Sequence, residues 1–334
     1  MNESKQQPEE EIRPNGEPGK PEDSVSGKEE IAETEIMTAL EAMGDKVNEE
    51  ESEQETADTS PIGIIGTQKK QTGEFPVLSM KLAQRCHVGA RRKRNEDSCF
   101  TFLSTTGGDS TLPPFGLFIV ADGMGGHQNG HIASKIASRT AGKYILEKLY
   151  LPLLAIKEQN TPLPIQEVLT DAVMAANSAV LNHDLESDSG TTLTIALILG
   201  RRLHIAHVGD SRVYLHTNNK LETITQDHSL VQRLQEVGQL TAEEATFYRY
   251  SNILLRAVGQ SEELEVDTYM RLLPESGQIL LCSDGLTSMI SDKRIQEIVE
   301  TDTSLEEKAE KLFQAAMDAG GFDNITVILV GFHS

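Results

Sequence analysis

From about residue 76 onward the apolar positions follow two rhythms. Short runs rich in Val, Ile, Leu, Phe and Thr, bounded at many of their ends by Gly, Asp or Asn, predict strands. They fall at 77–82, 98–103, 115–121, 191–199, 203–209, 212–216, 265–271, 278–282 and 325–331. Longer stretches with apolar residues at helical spacing predict helices at 129–149, 165–185, 229–236, 241–246, 292–300 and 304–319. In the first, Ile132, Ile136, Ile145 and Leu149 recur, with Ala133, Ala137 and Ala141 between them. In the second, Ile165, Val168, Leu169, Ala172 and Ala176 do the same. TTLTIALIL and LHIAHVGDSRVYLH are separated only by Gly200, Arg201 and Arg202, which predicts antiparallel neighbours. Strands and helices do not alternate one for one. Two long helices interrupt two groups of strands, so the pattern indicates an α+β fold with antiparallel sheets, not a doubly wound parallel sheet. No internal repeat is present.

Upstream the rhythm fades. Residues 1–28 are rich in Glu, Pro, Gly and Ser. Ile36, Leu40 and Met43, with Ile31 nearby, form a short stripe within 29–44, and Ser26 with Glu29 makes a capping box at its start. That stripe reads either as a partner-docking helix or as a transient helix in a solvated tail. PIGIIG at 61–66 reads as a linker or a first edge contact. Of the formal charge of -22, residues 1–75 contribute 20 acids against 7 bases, and the first 74 residues hold no Phe, Tyr or Trp. Such a segment buries too little apolar surface to offset its ordering entropy. The expected organisation is an acidic, mostly disordered tail over 1–75 and one globular domain over 76–334, acting as a monomer.

Several classes drop out. No run of 18 or more apolar residues exists, so no membrane-spanning helix is expected. MNESKQQPEEE has neither a basic n-region nor an apolar h-region, so a secretory signal is not expected and the chain is placed in the cytoplasm. Cys86, Cys99 and Cys282 are odd in number, widely spaced and without a CxxC pair, which suits a reducing compartment and argues against structural zinc. The negative charge repels nucleic acid. The one basic cluster, RRKR at 91–94, stands beside acids and suits capture of a phosphate ester better.

Acids recur where strands end. FIVAD ends in Asp122, IAHVGD in Asp210 and ILLCSD in Asp284; Asp97 precedes SCFTFL and Asp323 precedes NITVILVGF. Asp122 and Asp284 are each followed by glycine, a residue free to take positive φ, which would present each carboxylate rigidly above a sheet. If Asp97, Asp122, Asp284 and Asp323 converge, they repel. Two charges about 4 Å apart cost roughly 4 kcal/mol at an effective dielectric of about 20. Arg92 alone does not supply the counter-charge. A set of oxygen donors selects hard ions, Mg²⁺ or Mn²⁺. Two of them about 3.5–4 Å apart suit hydrolysis of a phosphate ester.

Six ordered motifs then match a family. RRKRNED at 91–97, VADGMGGH at 120–127, SGTTLT at 189–194, HVGDSRVYL at 207–215, CSDGL at 282–286 and GGFDNITVI at 320–328 stand in the family's order. From about residue 80 to 332 the chain resembles the metal-dependent protein serine/threonine phosphatases, the PPM or type 2C family, in its bacterial form. The resemblance implies a four-layer α-β-β-α sandwich: two antiparallel sheets flanked by helices, with a dinuclear Mn²⁺ or Mg²⁺ site at one end. It implies hydrolysis of phosphoserine and phosphothreonine in proteins by a metal-activated water, in signalling that opposes a serine/threonine kinase. Asp122 resembles the acid bridging both metals and Gly123 the residue whose carbonyl ligates one. Asp284 and Asp323 resemble the remaining direct ligands of one metal. Glu96 and Asp97 resemble the acidic pair that holds metal-bound waters or the metal itself, Arg92 the arginine that grips phosphate, and Asp210 an acid that helps bind a third metal. Residues 224–256 align with a flap over the site.

The chain departs from the pattern at Met124, where some relatives carry a histidine proposed as general acid. His127, close by, is read as a helix N-terminal residue without a catalytic part, and Arg91 and Arg94 as a solvated basic face. Two other readings are a phosphatase of anti-sigma-factor antagonists and a non-catalytic phosphoprotein-binding pseudophosphatase. The intact RKRNED segment and the absence of a sensory domain oppose the first. The complete ligand set opposes the second.

Overall fold

The computed structural model describes residues 78–105, 112–125, 129–155, 164–183, 189–245, 248–250 and 252–334. The acidic tail, the stripe at 29–44, the segment 61–66 and His127 lie outside them. The strands are β1 (Ser79–His87), β2 (Ser98–Ser104), β3 (Phe115–Ala121), β4 (Gly123–Met124), β5 (Gly190–Thr191), β6 (Leu193–Leu199), β7 (Arg202–Val208), β8 (Arg212–Thr217), β9 (Lys220–Thr223), β10 (Asp267–Leu272), β11 (Ser276–Cys282) and β12 (Ile325–His333). The helices are α1 (Gly130–Ile145), α2 (Ile165–Leu181), α3 (Leu230–Glu236), α4 (Ala242–Ala245), α5 (Asp284–Thr287), α6 (Asp292–Val299) and α7 (Leu305–Asp318).

Among the described residues all strand pairs are antiparallel. One sheet runs β1-β12-β11-β8-β9, a second runs β10-β7-β6-β3-β2, and β4 pairs with β5 beside them. The alternation of side chains along β3 shows how the layers stack. Leu117 and Ile119 face α1 and α2 and join Ala137, Ala141, Leu169 and Val173. Phe118 and Val120 face the other way, into the first sheet, against Ile279, Leu281, Ile328 and Val330. The far face of that sheet, with Leu280, Val327 and Leu329, is covered by Ile295 and Ile298 of α6 and Leu312 and Ala316 of α7. Three apolar seams therefore separate four layers, helix–sheet–sheet–helix. Covered on both faces, β3 reads as an unbroken apolar run despite its antiparallel neighbours.

The structure corrects the sequence reading at several boundaries. β1 continues to His87, past the expected 82. Among the described residues it is an edge strand paired only with β12, so polar Gln84 and Arg85 are tolerated there. β9, KLET, was not expected because it is polar; Asn218 and Asn219, both at positive φ, close the β8–β9 hairpin. Past Ile145 the first helix widens into a π turn at Leu146–Tyr150 and a last α turn at Leu151–Leu153, so it outruns the expected 149. The expected antiparallel pairing holds for β6 with β7, and the rest of LHIAHVGDSRVYLH leaves that sheet. After β7 in the second sheet, the chain passes through Gly209–Ser211 and enters β8 in the first.

Candidate metal and phosphate site

The strand-end acids come within electrostatic reach of one another. Asp97 lies just before β2, Asp122 between β3 and β4, Asp210 in the crossover from β7 to β8, Asp284 at the start of α5 beyond β11, and Asp323 just before β12. Asp284 and Asp122 share a side-chain hydrogen bond, and Asp122 lies in the electrostatic field of Asp97, Asp284, Asp210 and Asp323.

Hydroxyl and amide side chains from distant strands fix these positions. Asp97 is buried, and its Oδ2 accepts from Ser283 Oγ at 2.8 Å and Thr326 Oγ1 at 2.6 Å. Both donors belong to the adjacent strand ends of β11 and β12 in the interior of the first sheet, so Asp97 ties the start of β2 in the second sheet to it. The other oxygen of Asp97, Oδ1, is buried with no hydrogen-bond partner among the described residues. Asp122 is held through its backbone: its N–H donates to Thr192 Oγ1 at 2.9 Å, and its carbonyl accepts from Thr192 N–H and Thr191 Oγ1, each at 2.8 Å. Thr192 Oγ1 also bonds Ser211 Oγ at 2.8 Å, next to Asp210. Asn324 staples the loop that carries Arg92. Its Nδ2 donates to Val88 O at 2.9 Å and Arg94 O at 3.0 Å, and its Oδ1 accepts from Glu96 N–H at 2.7 Å. None of Thr191, Thr192, Ser211, Ser283, Thr326 and Asn324 stood out as a candidate in the sequence. The signal was present in the motifs SGTTLT, GDSR, CSDGL and FDNIT, whose small polar residues bond the chain, not the ligand.

Glycine serves the site differently from the expectation. Neither Gly123 nor Gly285 takes positive φ. Each permits a close approach instead: a Cβ on Gly123 would lie 2.2 Å from Gly130 O and 2.6 Å from Glu96 O, and one on Gly285 would lie 1.9 Å from Asn324 O. Gly123 N–H donates to Glu96 O at 3.2 Å, which binds the central loop to the RKRNED segment.

The electrostatics follow from this crowding. Loss of surrounding water pushes the Asp97 carboxyl up to about 7 and the Asp284 carboxyl up to about 6, with Asp323 adding repulsion at Asp284. Asp122 and Asp210 are pushed well above the usual carboxylate range, first by desolvation and then by neighbouring acids. Asp227, in the segment 224–256, adds to the field at Asp210. It is itself bound by Arg212, whose Nη2 lies 2.6 Å from Asp227 Oδ2. Arg92, half exposed, donates from Nη2 to Asp323 Oδ2 at 2.7 Å. Arg91 stacks over the Phe322 ring at 5.7 Å, and an Arg94 guanidinium nitrogen lies 3.3 Å from His131 Nδ1.

Among the described residues, no three His, Cys, Asp or Glu side chains close into a preformed cage. The donor chemistry nevertheless fits hard divalent cations. The converging groups are carboxylates, one buried carboxylate oxygen has no partner among the described residues, and desolvation together with mutual repulsion raises their proton affinity. A positive charge placed among them would offset all three features.

The family model for protein phosphatase 2C matches residues 90–322. The chain belongs to the protein phosphatase 2C family. The serine/threonine phosphatase Stp of Listeria welshimeri is 43% identical over 216 residues, covering 64% of this chain and 83% of that protein. The protein phosphatase PhpP of Streptococcus pneumoniae is 34% identical over 259 residues, covering 76% and 98%. The solved serine/threonine phosphatase of S. agalactiae superposes with a TM-score of 0.64 at 31% identity, covering 75% of this chain and 99% of that one. The catalytic domain of PstP, solved with two manganese ions, superposes with a TM-score of 0.63 at 32% identity, covering 77% and 100%. This member of the family is a protein serine/threonine phosphatase, and its two antiparallel sheets with flanking helices are those of its solved relatives. Among its described residues no helix is long and apolar enough to cross a membrane.

Proposed function

We propose that this phosphatase hydrolyses phosphoserine and phosphothreonine in proteins at a centre of two divalent cations, Mn²⁺ or Mg²⁺, opposing a serine/threonine kinase and acting on that kinase's substrates. The observation that carries the reading is Asp122, a carboxylate within electrostatic reach of Asp97, Asp284, Asp210 and Asp323. The manganese pair in the PstP relative supports the choice of ion.

Asp122 would bridge the two ions, with the Gly123 carbonyl, Asp97, Asp284 and Asp323 as further direct ligands. Glu96 would act through water, and Asp210 would serve a third ion. When bound, the cations supply charge neutralisation at the phosphoryl oxygens and a water acidified enough to react near neutral pH. The chain's own residues bind and orient. Arg92 presents a planar fork of N–H donors that matches two phosphoryl oxygens, which the single ammonium of a lysine does not. Ser283 and Thr326 fix the rotamer of Asp97, and the Thr191–Thr192 pair fixes the backbone of Asp122. Met124 supplies no proton to the leaving alkoxide. The catalytic domain spans 76–334 and acts as a monomer in the cytoplasm, with the acidic segment 1–75 outside it.

Hydrolysis of p-nitrophenyl phosphate and of a phosphothreonine peptide, with Mn²⁺ and with EDTA, tests the reading. Turnover that needs the metal is expected. Metal-independent turnover, or none with any divalent cation, removes it.

A further inference from the structure

The RKRNED segment has a second chemical feature at its two ends. Cys86 lies near the end of β1, at the edge of the first sheet, and Cys99 is the second residue of β2, at the edge of the second. The chain between them, 87–98, crosses from one sheet to the other and carries Arg92, Glu96 and Asp97. The two thiols hydrogen-bond each other. Cys86 is exposed, Cys99 is half-buried against the seam between the sheets, and Cys282 is buried in β11.

Cys86 is also wired to Asp97. Its Sγ accepts from Asn95 Nδ2 at 3.2 Å, and Asn95 Oδ1 accepts from Asp97 N–H at 3.2 Å. The Thr326 hydroxyl lies 3.3 Å from Cys86 Sγ and 2.6 Å from Asp97 Oδ2. That hydroxyl has one proton, so its allocation between the carboxylate and the sulfur depends on what the sulfur is bonded to.

We propose that Cys86 and Cys99 are an oxidation site, closing to a reversible disulfide that clips the two sheet edges together and unseats Asp97. The oxidant is a peroxide. The Cys86 sulfur attacks one peroxide oxygen and the O–O bond breaks. The departing oxygen leaves as water, carrying the thiol proton, and Cys86 becomes a sulfenic acid. The Cys99 sulfur then attacks the Cys86 sulfur, the S–O bond breaks, and the hydroxyl leaves as a second water with the Cys99 proton. Each sulfur gives up one electron, and the peroxide is reduced to two waters. Closing the link turns Cys86 away from Thr326 and Asn95, the two residues that it shares with Asp97, so the hydrogen-bond network that seats Asp97 rearranges. A reversible bond of this kind, at an exposed thiol with a neighbouring partner, suits a reducing compartment where disulfides are transient.

The test uses the full chain, reduced and then exposed to a slight excess of hydrogen peroxide. Digestion without reductant, followed by mass spectrometry, is expected to show the Cys86 and Cys99 peptides joined, with two hydrogens lost from the intact mass and Cys282 still a thiol. Dithiothreitol restores the separate peptides. Cys86 oxidised to a sulfinic acid beside a free Cys99, or a crosslink through Cys282, overturns the proposal. Calorimetric Mn²⁺ titration of the oxidised chain is expected to show affinity weakened about tenfold, the scale on which loss of a ligand's supporting hydrogen bonds acts. An unchanged Mn²⁺ affinity in a fully crosslinked sample overturns the link to Asp97. The crosslink is read without turnover, so its failure is distinguishable from failure of the metal-dependent mechanism.

Discussion

Arg92 and Asp323 are bonded to each other, Nη2 to Oδ2 at 2.7 Å. The arginine assigned to the substrate phosphate and an aspartate assigned to a cation thus occupy one another. An ion that recruits Asp323 leaves the guanidinium fork open to phosphate. Arg92→Ala is expected to move two readouts in opposite directions. It removes charge-assisted bonds to substrate worth about 1.5–3 kcal/mol, so kcat/KM for a phosphothreonine peptide falls by about ten- to a hundredfold. It also frees Asp323 and deletes a positive charge near the acids, so Mn²⁺ binding measured by calorimetry tightens. Weaker Mn²⁺ binding in the variant would show that Arg92 supports the cation site instead of competing with it.

Asp97 depends on two hydroxyls from the opposite sheet, Ser283 Oγ and Thr326 Oγ1. Thr326→Val keeps the shape of the β12 side chain and removes one of them. Because partners that orient a ligand typically matter at the level of about 10–100-fold, Mn²⁺ affinity is expected to fall about tenfold while the circular dichroism spectrum is unchanged. Full affinity in the variant would mean that Ser283 alone seats Asp97.

How much of this was legible in the chain differs between strands and site. β3 was delimited correctly because both of its faces are buried, and a run of apolar residues has sharp ends. β1 was cut short and β9 missed because edge positions admit Gln, Arg, Lys and Glu, which erase the alternation that periodicity detects. The aspartates could be found because an acid after a buried strand is chemically conspicuous. Thr191, Thr192 and Asn324 could not, since their work is to bond backbone groups of residues up to 236 positions away, and that pairing exists only in three dimensions. Gly123 and Gly285 were recognised as special for the wrong reason. Contact with Gly130 O and Asn324 O, not a left-handed backbone, excludes a side chain there.

His204 tests a cost elsewhere in the core. It is buried in β7, neither ring nitrogen has a hydrogen-bond partner among the described residues, and burial lowers its pKa to about 4. The unfolded chain therefore binds a proton that the folded one refuses between about pH 6.5 and about pH 4, and the stability associated with neutral His204 is lost as pH falls through that window. His204→Leu removes an unsatisfied polar ring, so stability from urea unfolding should rise by about 1 kcal/mol at neutral pH. The advantage over the unchanged protein should widen at about pH 5. An equal gap at both pH values would show that His204 does not titrate there.

The acidic segment can be tested by removal. If the catalytic domain begins near residue 76, a chain lacking residues 1–60 hydrolyses p-nitrophenyl phosphate at nearly the rate of the whole protein. A collapse of turnover would move the domain boundary upstream.

The sharpest test of the acidic cluster is Asp284→Asn. Asp284 is pushed up to about 6 by desolvation and by Asp323, while its hydrogen bond to Asp122 acts the other way. Asparagine keeps the size of the side chain and an N–H donor for Asp122, but carries no charge. In a chelator-treated sample the variant should therefore melt higher by about 3 °C, the shift expected of about 1 kcal/mol in a domain of this size. With Mn²⁺ the order should reverse, because the neutral amide is the poorer ligand for a hard cation and ligand binding adds less to the folded state. The crossing of the two melting orders is the signature of a cluster whose acids oppose the fold and serve the ion. A variant that melts lower under both conditions would assign Asp284 to structure alone.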